Sequence, residues 1–513
     1  MHANTRFLFS ILLILAWPGL LLAKPSLPSI FGDHMVLQQN HPNPVWGWAD
    51  PGESIEVSIA GQNHRTKADG EGAWRVALAP ISAGGPYTLT ILGKQEVTFS
   101  DVLVGEVWIC SGQSNMAWTV TRSDDAGLEI QSAKFPQVRI ISVPQVGTQQ
   151  PQNDFEGNWE RVTPESIAEF SAVGYFFGRR LHQTLEVPIG LIDNAWGGSA
   201  AEAWIRRDVL QSDGRFDELM AKWEEIEANY HPEAGQVGFQ EALRAWNQGG
   251  RQGPRPRNPR NPLTGNQRPA NIFNGVLHPT IGYGIRGAIW YQGESNASRA
   301  HQYRDLFPLM IQHWRDLWNQ GDFPFYYVQL ADFRDEKPEP GDSDWAELRE
   351  AQTMVMDKLD KVGQAVIIDI GEGRDIHPRN KQMVANRLAR WALANDYGID
   401  IHHRSPTYQS MERQGNTITL TFDHVGQGLY SFDTAEPRGF AIAGEDRHFA
   451  WAQAKLVGEN KVEVWNDGIS HPVAVRYAWA DNPVCNLFSR DGLPVTPFRT
   501  DDWPGITVGK RFR

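Results

Sequence analysis

Between residues 101 and about 400 the chain alternates short apolar runs with stretches of helical character, and this constrains the fold more than any other feature. The runs are VLVGEVWIC, IGLIDNAWGG, RGAIWYQGE, FPFYYVQLAD and VGQAVIIDIGEG; YFFGRRLHQTL and KQMVANRLARWALAN are two of the intervening stretches. Runs rich in β-branched and aromatic residues, spaced by helices, predict a parallel sheet covered on both faces. In such a sheet ligands bind in the crevice beyond the carboxyl ends of the strands. Chemistry is therefore expected just after each run ends.

Both flanks read differently. From about 25 to 100, IEVSIA, WRVALA and YTLTI alternate apolar with polar residues, and ADGEGAW is a turn signal. That predicts a small antiparallel β domain, sandwich-like, over residues 24–100. NTITLTF, KVEVW and VAVRYAW predict a second β domain over 405–513. Within 101–404, residues 211–270 read as an insertion: helical in its first part, then irregular through NQGGRQGPRPRNPRNPLTGNQRP, a Pro- and Gly-rich excursion. A chain of 513 residues accommodates several domains.

The first 23 residues stand apart. Arg6 precedes the apolar FLFSILLILAWPGLLLA, which ends on the small Ala23. This pattern predicts a secretory signal peptide, hence a secreted or periplasmic protein with no stable membrane insertion after cleavage. A retained anchor is the alternative, weakened by Pro18 and Gly19 within the run. A net charge of −13 argues against a nucleic-acid partner, because phosphate neutralisation needs a basic surface. With two cysteines, Cys110 and Cys485, the chain is not a disulfide scaffold, and Cys110 fits a buried free thiol.

Beyond the runs lie Ser114, then Asp193 to Ser199 with the pair Gly197–Gly198, then Gln292 to Asn296, then Asp375 and His377. Together they supply a hydroxyl, a base with an orienting carboxylate, and donors for an oxyanion, which are the parts acyl transfer requires. A helix starting at Ser114 would add its dipole. Met116 stands where the α/β-hydrolase elbow needs glycine, so this is a different serine motif. No Cys/His cluster has metal-ligand spacing, and neither metal nor cofactor is expected. His278, in VLHPT, precedes the third run and is expected away from the crevice.

GQSNM after a strand, WGGS about 80 residues later, WYQGESNA and DIHPRNK resemble the sialate O-acetylesterase group of the SGNH hydrolases. IFGDHMVLQQ, RYAWADNP and GLPVTPFRTDDW extend the likeness to both ends. The resemblance implies a three-layer, flavodoxin-like α/β esterase domain flanked by β modules. It implies removal of acetyl groups from acetylated oligo- or polysaccharides without a metal. Carried over, Ser114 is the nucleophile, His377 the base and Asp375 its orienter, with Asp369 as substitute. The Ser114 and Gly198 N–H groups and the Gln292 side chain form the oxyanion hole, with Asn296 as runner-up to Gln292. Gln113, Trp118, Trp196, Glu294 and Asn296 are candidate substrate contacts; Trp290 is weighed as a sugar platform against core packing.

Two other functions fit parts of the pattern. A glycosidase would use Glu294 with Glu106, Glu202 or Asp193, and leaves Ser114 and His377 without roles. A non-catalytic carbohydrate-binding protein would use the β domains and some of the twenty tryptophans. Between acetylated substrates, the negative charge and the tryptophans favour neutral hemicelluloses such as xylan, xyloglucan or mannan over sialic acid.

Overall fold

The computed structural model describes residues 24–258 and 261–510; the expected signal peptide lies outside them. Six parallel strands form the centre: β1 (Glu96–Gly112), β2 (Phe135–Ser142), β3 (Ile189–Asp193), β4 (Gly287–Tyr291), β5 (Phe325–Val328) and β6 (Val362–Ala365). Their order is β2-β3-β1-β4-β5-β6. Leaving out β2 at the edge, this is the flavodoxin-like order.

Alternation along β1 divides its side chains between two layers. Trp108 and Cys110 pack beneath the helices α1 (Ala172–Leu185) and Lys381–Asn395. Val107 and Ile109 join the opposite core, with Phe307, Met310 and Trp314 of Ala300–Trp318. Both faces are buried, as parallel sheets require. Trp290 lies fully buried in that second core, in ring contact with Trp204 and Trp314. It is packing, not a sugar platform.

The connection from β1 runs to β2 on one side, while that from β4 runs to β5 on the other. The loops after β1 and β4 therefore part, which opens the crevice of a doubly wound sheet there.

The amino-terminal strands are antiparallel, as the alternation predicted, with Asn43–Trp48 on Ala73–Leu78 and Ser54–Ile59 on Gly84–Leu92. Gln62–Lys67 adds a polar edge strand that carries no apolar alternation and so left no signal. The expected boundary at residue 100 falls inside β1. The first half of this strand pairs antiparallel with Gly84–Leu92, and its second half pairs parallel with β3 and β4. One uninterrupted strand thus joins the amino-terminal strands to the central sheet. At the far end, Thr417–Asp423 and Lys461–Trp465 sit in one sheet and Ala474–Tyr477 in another. Val366 and Ile368, just past β6, insert into the core between them. The stretch 211–270 contains helices Asp217–Asn229 and Pro232–Gln248. Cys110 and Cys485 are both free thiols.

Candidate active site

Ser114 sits two residues past β1. Met116 and Ala117 N–H both donate to the Gln113 carbonyl, at 2.9 and 3.0 Å, so the serine lies in a tight turn. The helix start considered from the sequence is absent, and so is its dipole. His377 arrives on the loop between β6 and the helix Lys381–Asn395, now α2. Its Nε2 lies 2.9 Å from Ser114 Oγ, across 263 residues of sequence. Trp118 stacks on the imidazole, centroids 4.7 Å apart and planes 13° from parallel. Burial, followed by the charge of Lys381, lowers the His377 pKa. A neutral imidazole next to a hydroxyl is a general base in position.

The orienting carboxylate is less firmly placed. Asp375 Oδ1 accepts the His377 backbone N–H at 2.9 Å but stands 3.4 Å from Nδ1, with its side chain half exposed. Asp369, the substitute, is held by Arg387 in a bidentate pair at 2.6 and 2.7 Å. It is committed elsewhere.

The loop after β3 closes over the serine. Asn194 and Trp196 N–H donate to the Cys110 and Gly112 carbonyls of β1. A side chain on Gly197 would lie 3.3 Å from Ser114 Cβ, so glycine allows this close approach. Gly198 has φ +73°, a conformation that favours glycine. Among the described residues, the Ser114 and Gly198 N–H groups donate to no protein acceptor. Two unspent backbone donors beside a nucleophile suit a developing oxyanion.

The third donor expected from sequence, the Gln292 side chain, is bonded within the protein. Gln292 is fully buried; its Nε2 donates to Ser199 O at 3.1 Å and Asn296 Oδ1 at 2.7 Å, and its Oε1 accepts from Tyr303. One bond holds Ser199 beside Gly198, and the other stays within the loop after β4, on Asn296. The candidate substrate contacts Gln113, Glu294 and Asn296 also bond within the protein. Gln113 Oε1 accepts from Gly293 and Ser295 N–H. Asn296 Oδ1 accepts from Ala201 N–H, and its Nδ2 donates to Glu202. Glu294 Oε1 accepts from Asn115 at 2.6 Å. Trp118 and Trp196 remain half-buried beside the site.

The carboxylates of the glycosidase alternative are occupied too. Glu202 pairs with Arg299 at 2.6 Å. Glu106 lies six residues before the end of β1, about 20 Å along the strand, in a bidentate pair with Arg286. Asp193 accepts from Ala195 N–H, and burial pushes it up to about 7. His278 bonds the Gln152 carbonyl on the amino side of β4, away from the crevice. Among the described residues no group of three or more His, Cys, Asp or Glu is placed to hold a metal, and no helix is long and apolar enough to cross a membrane.

With a serine and a histidine in contact at the crevice, comparison with known proteins decides the family. A family model described as "Carbohydrate esterase, sialic acid-specific acetylesterase" matches residues 104–249 and 275–386. The chain belongs to this family of carbohydrate esterases. Sialate O-acetylesterases from Mus musculus and Homo sapiens are each 30% identical to it, over 92% and 93% of this chain and 93% of their own. A solved carbohydrate acetylesterase from Xanthomonas citri superposes with a TM-score of 0.80 at 38% identity, covering 94% of this chain and 100% of that one. The two segments matched by the family include every residue of the Ser114–His377 site.

Asn115 and Lys381 were missed from the sequence, although GQSNM and DIHPRNK contain them. A lysine opening a helix, where the dipole disfavours a cation, is the signal that was available.

Proposed function

We propose that this chain is an exported carbohydrate O-acetylesterase acting through a serine acyl-enzyme. The contact of Ser114 Oγ with His377 Nε2 at 2.9 Å carries this reading. His377 takes the Ser114 proton as Oγ attacks the acetyl carbonyl. The resulting oxyanion accepts hydrogen bonds from the Ser114 and Gly198 N–H groups. Collapse expels the sugar oxygen, which takes the proton from His377, and leaves acetyl on Ser114. His377 then deprotonates water, which attacks the ester; acetate leaves and the serine regains its proton. Each step uses groups of the chain itself, and the scheme needs no metal.

For substrate we favour neutral, acetylated plant-type glycans. Support comes from the net charge of −13, which repels anionic glycans at long range, and from the half-buried faces of Trp118 and Trp196. A sialic acid substrate is the second reading. It is favoured by the relatives' names and by Arg122, whose guanidinium lies 5.5 Å from the Trp118 ring and offers a partner for a carboxylate. Acetate release from acetylated xylan or mannan oligomers and from O-acetylated sialoglycan, under one set of conditions, separates the two. A higher kcat/KM on the sialoglycan reverses the preference. Reducing sugar released without acetate would point back to a glycosidase.

A further inference from the structure

Asp375 is a weak clamp for the base, being half exposed and 3.4 Å from Nδ1. A pair so open to solvent contributes little. The loop that carries His377 is nevertheless held, from the buried side. Asn115, the neighbour of the nucleophile, is 1% exposed and makes three bonds with its amide. Its Nδ2 donates to the Ile376 carbonyl at 2.9 Å and to Glu294 Oε1 at 2.6 Å, and its Oδ1 accepts from Lys381 Nζ at 2.6 Å. One side chain thus ties together the serine turn, the histidine loop, the start of α2 and the loop after β4.

Lys381 is costly where it stands. It is fully buried at the first position of α2, where the helix dipole disfavours a cation. No carboxylate of the described residues lies within 4 Å of its ammonium, whose neighbours are the Tyr291 and Trp118 rings at 5.2 and 5.8 Å. Burial pulls its pKa down to about 7. Glu294 Oε2 is buried without a partner. A fold selected for stability alone would not keep a lone buried cation and a half-satisfied carboxylate around one amide.

We propose that Asn115, Lys381 and Glu294 are a positioning unit for His377, fixing its backbone against the serine from the interior. The unit rests on the serine–histidine reading above. Its members act through the Ile376 carbonyl and through the field at the imidazole. The charged groups facing His377 are Lys381 and Arg122, which disfavour imidazolium, and Asp375, which favours it.

The test uses the full-length enzyme, with 4-nitrophenyl acetate turnover and the rate at which a serine-directed phosphonate labels Ser114. Asn115→Ala should lower kcat and the labelling rate by about 100-fold, the scale of a small misplacement of a catalytic group, with KM nearly unchanged. Lys381→Met should lower kcat and shift the pKa governing kcat/KM upward, which a purely structural loss does not do. Glu294→Gln, which keeps the acceptor for Asn115, should retain most activity, whereas Glu294→Leu should behave like Asn115→Ala. If Asn115→Ala fails to fold, the Lys381 and Glu294 variants decide. Wild-type rates and pH profile in folded variants overturn the unit but leave the serine reading intact. A wild-type enzyme that is not labelled at Ser114 overturns the serine reading, and the unit with it.

Discussion

The two ends of the central sheet each hold a carboxylate drawn out of water, Glu106 fully buried and Glu294 half-buried, and they treat it in opposite ways. Near the amino end, Glu106 receives two bonds from Arg286, one each from Gln38 and Gln39, and one from Tyr397. Both oxygens are satisfied, and the cation stands in direct contact. Beyond the carboxyl end, Glu294 has one bonded oxygen, and the nearby cation, Lys381, reaches it only through the amide of Asn115. Burial there pushes the Glu294 carboxyl above its ordinary range. Unpaired buried charge costs stability, so an arrangement kept in this state marks the end of the sheet where chemistry outweighs stability. On the positioning unit proposed above, Glu106 serves the fold, and Glu294 and its neighbours serve the site.

The contrast predicts which variants break which property. The largest effect is on turnover. Ser114→Ala and His377→Ala should each remove about 10⁴-fold or more of ester hydrolysis while Tm stays within a few degrees, since nucleophile and base act as a unit. Substantial activity in either variant removes that residue from the mechanism. Glu106→Ala should do the reverse. Leaving Arg286 unpaired should cost about 3 kcal/mol in denaturant unfolding, the low end of the range for a broken buried pair because Arg286 is partly exposed. The folded fraction should keep its kcat.

The two aspartates sharpen the comparison further. Asp369→Asn weakens a bidentate pair with Arg387 and should lower stability more than turnover. Asp375→Asn should lower turnover by only about 10-fold, far less than the ~10⁴-fold loss when a buried triad aspartate is replaced, because Asp375 is half exposed and distant from Nδ1. A 10⁴-fold loss would show that Asp375 closes on the imidazole during the reaction. The smallest effect is on pH dependence. Burial and Lys381 lower the His377 pKa, so the base form persists to lower pH than for an ordinary histidine. The rising limb of kcat/KM should have its midpoint below about 6.5. A midpoint above that value contradicts the sign assigned to this environment.

The places where reasoning from sequence succeeded and failed follow from the range of the contacts involved. That the loops of Ser114, Gly198 and His377 meet was legible because a parallel sheet delivers the residues just past its strands to one crevice, whatever the details of packing. The side-chain amides were not. Whether Gln292 faces substrate or the interior depends on Ser199 and Tyr303, residues 93 before and 11 after it. No local pattern records that choice. Asn115 and Lys381 sit inside the quoted motifs, but their bond spans 266 positions and reads only in three dimensions. The change of partners near residue 100 leaves no break in the sequence pattern, because β1 stays a single strand from Glu96 to Gly112.

The serine mechanism requires an acyl-enzyme. Acid-quenching the wild-type enzyme during turnover of an acetylated xylan oligomer, then mapping its peptides by mass spectrometry, should find a transient acetyl group on the peptide containing Ser114. The acetyl should accumulate in a burst before steady acetate release and be absent from Ser114→Ala. Steady acetate release with no acetyl on that peptide, or with acetyl on another residue, contradicts the account.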